Sequence, residues 1–150
     1  MVAFRQPGCQ KVNMDLSTKR VITLAAARAA MAACEATAVK NGWRVVISIV
    51  DDGGHVILVQ RLDGTQWSSV ETALGKARAA VAFKRPTRLI EEMINNGRYS
   101  FLSAPGPFSF LQGGLPVEVD GQVIGGIGVS GVKASDDEII AASGIAVLQN

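Results

Sequence analysis

The sequence predicts an α/β domain of the α+β kind, a mainly antiparallel sheet flanked by helices. Three observations lead there. Two pairs of short segments rich in β-branched residues are each joined by a compact Asp/Gly turn, at residues 51–54 and 120–121. Alanine-rich stretches with three- and four-residue apolar spacing lie before, between and after those pairs. The resulting order is helix, hairpin, two helices, hairpin, helix, without the strand–helix–strand alternation that builds a parallel sheet.

Residues 1–16 read as an irregular arm and 17–150 as one domain. From Thr18 to Lys40 the residues Val21, Leu24, Ala27, Met31, Cys34 and Ala38 recur at helical spacing, with Ser17 as the expected N-cap and Asn41-Gly42 as the stop. Arg44 to Val50 is too short for a free-standing helix and reads as a strand. Asp51-Asp52-Gly53-Gly54 turns the chain, His55 to Arg61 returns it, and Asp63-Gly64 ends the pair. A second helix is expected over about Trp67 to Phe83. A third starts at Pro86, whose fixed backbone angle suits a first turn, and runs to about Asn96. Residues 99–114 form a Pro/Gly loop carrying Phe101, Phe108 and Phe110. Asp120-Gly121 is a two-residue hairpin signal between Leu115–Val119 and Gln122–Ser130. Ser135-Asp136-Asp137-Glu138 reads as a capping box opening the last helix, to about Leu148.

Composition narrows function mainly by subtraction. Of 150 residues 48% are hydrophobic, which excludes global disorder and is enough for a core. A net charge of +2 is far from the clustered basic stripe of a nucleic-acid binder. No apolar run reaches the roughly 18–20 residues that span a membrane, and Met1 to Cys9 lacks the apolar centre of a secretory signal. Cys9 and Cys34 make no CxxC or zinc spacing, and a cytoplasmic location is the default expectation. There is one histidine, His55, so no mechanism can use two imidazoles of one chain.

Few motifs carry chemistry. Gly126-Ile127-Gly128-Val129-Ser130-Gly131 has the form of a dinucleotide fingerprint, but it lies within the second strand of a hairpin, where a fingerprint should open a helix. Its glycines instead allow another backbone, or a ligand, to approach the strand closely, which makes Gly126, Gly128 and Ser130 candidate ligand contacts. Asp51, His55, Arg61 and Lys76 are further candidates: a cation suits a carboxylate or propionate group, and a lone imidazole suffices for axial ligation of an iron. No dedicated metal site is expected, because the alternating acids of a calcium loop are absent. For acid–base catalysis the candidates are His55, Glu71 and Lys76, with Asp51 as another proton carrier. The plain alternative is that these polar residues close turns and pair at the surface.

Several of these segments, taken in order, resemble a known family. Val50-Asp51-Asp52-Gly53-Gly54-His55 leads to Arg61-Leu62-Asp63-Gly64 and to Lys76-Ala77. Gly113-Gly114-Leu115-Pro116, Asp120-Gly121, Ile124 to Gly131 and Asp136-Asp137-Glu138 follow. Over about Leu16 to Leu148 the chain resembles the GlcG/HbpS family, which includes the C-terminal domain of PduO-type proteins. The resemblance implies a profilin-like domain that assembles into dimers and larger rings such as octamers. It also implies a small-molecule ligand, with links to haem or tetrapyrrole binding, to corrinoid-utilisation operons and to glycolate or other small-molecule catabolism. Haem-binding relatives can use a histidine near the first helix, whereas this chain has Thr18, Lys19 and Arg20 there. Haem would therefore rest on His55, Met31, Cys34, Tyr99 or an oxygen ligand. The leading expectation is a haem- or tetrapyrrole-binding protein. The alternatives are an isomerase, lyase or hydrolase of a small oxygenated or carboxylated substrate, and a partner-binding module.

Overall fold

The structure is a computed structural model that describes residues 13–149. Residues 1–12, which hold most of the expected arm and Cys9, lie outside the described residues. The elements are α1 (Leu24–Lys40), β1 (Val46–Asp51), β2 (Val56–Arg61), α2 (Ser68–Phe83), α3 (Thr87–Asn95), a 3-10 turn over Tyr99–Ser103, β3 (Gly114–Val119), β4 (Gln122–Ser130) and α4 (Ala134–Ala146). The four strands form one antiparallel sheet in the order β2-β1-β4-β3. Among the described residues no helix is long and apolar enough to cross a membrane.

Alternation along the central strands decides which helix covers which face. Ile47 and Ile49 of β1, with Ile127 and Val129 of β4, point into a core shared with α1 and α4. There Ala27, Ala30, Cys34 and Ala38 of α1 meet Ile140 and Ala141 of α4, and such small side chains let the helices lie close together. Val50, on the opposite face, packs with Leu74, Ala77 and Val81 of α2. The sheet is thus a middle layer between α1 with α4 on one side and α2 on the other.

The glycines of β4 explain how near α2 comes. A Cβ at Gly128 would collide with the backbone of Ala73 and Ala77, and one at Gly126 would lie 2.8 Å from the Ala77 carbonyl. Helix α2 therefore rests on the strand at backbone contact, and Ser48, paired with Gly128 on β1, is fully buried. The β3–β4 turn has positive φ at both Asp120 (51°) and Gly121 (76°), the geometry that matches strand twist in a two-residue hairpin.

Most element ends shift by one or two residues from the sequence reading, and larger differences fall at the first helix, the last helix and the Pro/Gly loop. The first helix begins at Leu24 rather than Thr18, and its N-cap is Thr23, whose hydroxyl accepts from the Ala26 N–H at 3.1 Å, not Ser17. The stretch before it is held extended by side chains: Lys19 pairs with Asp52, Arg20 with Asp120, and Ile22 is buried. Helix α4 starts at Ala134 with Lys133 as N-cap, so Ser135 does not cap it. Asp137 instead reaches back to accept the Val132 N–H at 3.2 Å. The Pro/Gly loop also contains the 3-10 turn over Tyr99–Ser103.

Candidate functional site

The β1–β2 turn builds the most chemically equipped part of the surface. The Asp51 carboxylate accepts the backbone N–H groups of Gly53 and His55 through one oxygen, each at 2.9 Å. This is the local bonding for which aspartate is favoured in turns. The same oxygen lies 3.2 Å from His55 Nδ1. Burial pushes the Asp51 carboxyl up, but the N–H groups of His55 and Gly53 and the imidazole outweigh it and hold it below its ordinary value. An ionised carboxylate only accepts, so in a hydrogen bond between them Nδ1 is the donor, which is the tautomer that leaves Nε2 free to ligate. The imidazole itself is 81% exposed.

Beside it lies a cleft of about 420 Å³ lined by Asp52, the Gly53-Gly54 turn, His55, Arg78, Val81, Ala82, Pro107 and Phe108. Helix α2 supplies Arg78, Val81 and Ala82 from one face, and the loop after the 3-10 turn supplies Pro107 and Phe108. Phe108 is fixed from behind by Phe83 and Phe110, with ring centroids 5.2 and 5.9 Å away. The loop phenylalanines thus form a small aromatic core that presents one ring to the cleft. Arg78 donates from Nε to the Gly54 carbonyl at 3.1 Å, tying the helix to the turn. A second cleft of about 330 Å³ shares Arg78, Pro107 and Phe108 and adds Glu71, Thr72 and Ser109.

Several expected site residues are placed elsewhere. Lys76 is 2% exposed and donates to Asp137 Oδ2 at 2.9 Å and to the Val129 carbonyl at 2.8 Å. Its ammonium is enclosed by α2, β4 and α4, so it meets neither cleft, and the set His55, Glu71 and Lys76 is not brought together. Burial raises the Asp137 carboxyl above its ordinary value despite the lysine beside it. Arg61 ends β2 beside Val46, about 20 Å along the strand from His55 at the usual rise per residue. Gly126 and Gly128 have no room for a ligand on the side they open, because the α2 backbone occupies it. Ser130 is buried at the far end of β4, opposite Val46. Cys34 is wholly buried in the core between α1 and α4, away from the cleft, and burial pushes its thiol up to about 11. Met31 is buried among α1 and β2 residues, away from His55.

Arg78, Asp52, Val81, Ala82 and Pro107 complete the site; the turn motif already contains Asp52, and Arg78 shares the helix of the candidate Lys76. Arg78 carried one usable signal, a cation two positions from Lys76 on a helix following the histidine turn; the apolar lining carried none.

The family description "Haem degrading protein HbpS-like" matches residues 22–146. The chain belongs to the HbpS-like family. GlcG of Escherichia coli K12 is 43% identical over 115 residues, covering 77% of this chain and 85% of GlcG. A crystal structure of a double-mutant form of Streptomyces reticuli HbpS aligns with a TM-score of 0.84 at 32% identity, covering 96% of this chain and 100% of that one. A PduOC–haem complex aligns with a TM-score of 0.77 at 30% identity, covering 85% of this chain and 94% of that one. The HbpS-like fold therefore accounts for the α–sheet–α layering. It also bears out the family and the antiparallel α/β architecture expected from the sequence.

Proposed function

We propose that this HbpS-like protein binds haem, or a tetrapyrrole of the same shape, in the cleft beside His55, with His55 as the ligand to its iron. The observation that carries the reading is the contact between His55 Nδ1 and the Asp51 carboxylate at the edge of a partly apolar cleft. Metal-binding imidazoles commonly hold the proton of their other nitrogen against a carboxylate, which fixes the tautomer and makes the free nitrogen more basic. Val81, Ala82, Pro107 and Phe108 offer apolar surface for a macrocycle and exclude water from one side of it. Bound haem would supply an iron centre with redox and small-ligand chemistry. The chain's own part is to bind, to orient the imidazole and to keep its proton on Nδ1.

Two comparisons support the assignment: the haem-degrading description of the family and the haem carried by the PduOC neighbour. A third support is positional. Thr18–Arg20, where the resemblance implies a histidine in haem-binding relatives, borders the same turn, since Lys19 donates to Asp52 at 2.6 Å. His55 supplies an imidazole to that neighbourhood from the other strand connection. Titration of the purified protein with hemin is expected to give a saturable Soret shift. His55→Ala should lose or strongly weaken it, and a spectrum equal to that of free hemin would overturn the reading. A homo-oligomer, from dimer to octamer, also belongs to the proposal. Trp67, 77% exposed at the start of α2, supports it as an uncovered aromatic anchor. Sedimentation equilibrium at the monomer mass would count against it.

A further inference from the structure

We infer that Arg78 is a carboxylate-binding residue and that the cleft takes the anionic end of its ligand there, deepening the reading above, on which its haem arm rests. The argument is an accounting of charge around the β1–β2 turn. Asp51 is engaged by two backbone N–H groups and by His55. Asp52 is engaged by Lys19 at 2.6 Å. Arg78 has no such partner: among the described residues its side chain makes one hydrogen bond, from Nε to the Gly54 carbonyl, and no ion pair. Glu71, two turns earlier on α2, lines the neighbouring cleft and makes no ion pair with it either.

The single bond that Arg78 does make sets up the site. Using Nε against Gly54 fixes the plane of the guanidinium and leaves both terminal nitrogens available. Those two nitrogens form the fork that meets a carboxylate through two parallel hydrogen bonds. Gly54 supplies the backbone for this turn: its φ is +79°, in the left-handed region that favours glycine. Arg78 lines both clefts, the one that holds His55 and the one that holds Thr72 and Ser109. A cation without an ion-pair partner, beside the apolar Val81, Ala82, Pro107 and Phe108, favours an anion attached to an apolar body. Two sources carry that chemistry, a propionate of a tetrapyrrole and a small free carboxylic acid.

The test separates the sources. Hemin and hemin dimethyl ester, whose propionates are masked, are titrated against the parent protein, Arg78→Gln and His55→Ala. Arg78→Gln should weaken hemin about 10- to 100-fold, the range for loss of charge-assisted hydrogen bonds, and leave the ester unchanged. His55→Ala should alter the Soret band of both ligands. Equal effects of Arg78→Gln on hemin and ester, or none on either, overturn the inference while leaving the haem reading intact. If neither ligand binds the parent protein, the haem reading fails and the free-acid arm decides. Sodium benzoate is then expected to shift the Arg78 Nε–H resonance saturably in the parent protein, with the response of neighbouring signals lost in Arg78→Gln. No saturable shift there overturns the inference as well.

Discussion

Two acid–base contacts connected to α2 and its neighbouring turn use the same kinds of group in opposite surroundings. Lys76 and Asp137 meet at 2.9 Å with both side chains 2% exposed, and the Val129 carbonyl takes another of the lysine's donors. Asp51 and His55 meet at 3.2 Å at the surface, with the ring 81% exposed. The buried pair binds α2, β4 and α4 into one unit and offers nothing to a ligand. The exposed pair sits in a turn at the surface and leaves most of the imidazole open to an approaching group. Burial therefore separates architecture from chemistry here more sharply than residue type does, since lysine is as plausible a site residue as histidine.

That contrast is best broken first at its buried end. Asp137→Ala should destabilise the protein by about 3–5 kcal/mol in chemical denaturation, because it leaves the Lys76 charge buried and uncompensated. Joint replacement by Lys76→Met and Asp137→Leu should recover much of that loss, and a single mutant as stable as the parent would show that the pair holds nothing. Gly128→Ala comes next, at about 1–3 kcal/mol or more, because its methyl meets the Ala73 and Ala77 backbone and α2 must move outward. Its melting temperature should fall even though the residue is far smaller than any ligand.

At the exposed end, His55→Ala should change stability by no more than about 0.5 kcal/mol, the usual size for surface substitutions, while removing the Soret shift. A comparable loss of stability would make the imidazole a structural turn residue. The smallest effect is in titration. The Asp51 carboxyl lies below its ordinary value, so its stabilising contribution is complete above the unfolded carboxylate range, roughly pH 4. It fades as pH falls through the lower folded value. Asp137 lies above its ordinary value, so keeping it ionised costs stability; that cost fades as pH falls from the raised value and is gone below the unfolded carboxylate range. Carboxyl NMR titrations should place the two on opposite sides of the exposed acids, and His55→Ala should move Asp51 upward. Coincident midpoints would remove the distinction.

Features encoded by neighbouring residues were legible in the sequence, and features made by distant ones were not. Asp120-Gly121 specifies its own hairpin, and the Asp51–Gly54 turn is written in side chains that bond to their own backbone. The glycines of β4 were readable as a place of close approach, although only the fold shows that a helix rather than a ligand fills it. Lys76 was misplaced because its partner lies on α4 and no local pattern ties the two together. Ser17 has the right side chain for a cap, yet the helix starts at Thr23, because pairing of Lys19 and Arg20 with distant acids holds the intervening stretch extended. At the candidate site His55 and Asp51 were legible through their shared turn. The wall of Val81, Ala82 and Pro107 comes from two other parts of the chain.

The strand order also says when the cleft comes into being. Each hairpin joins neighbours, but the central pairing of β1 with β4 brings Asp51 to Gly125 and closes a loop containing α2, α3 and the phenylalanine segment. Such distant pairings are slow to form compared with hairpins. The His55 turn belongs to the early, local half of the molecule, and its opposite wall belongs to the enclosed loop. A ligand that needs both walls recognises only chains that have finished folding, and it stabilises them in proportion to its concentration.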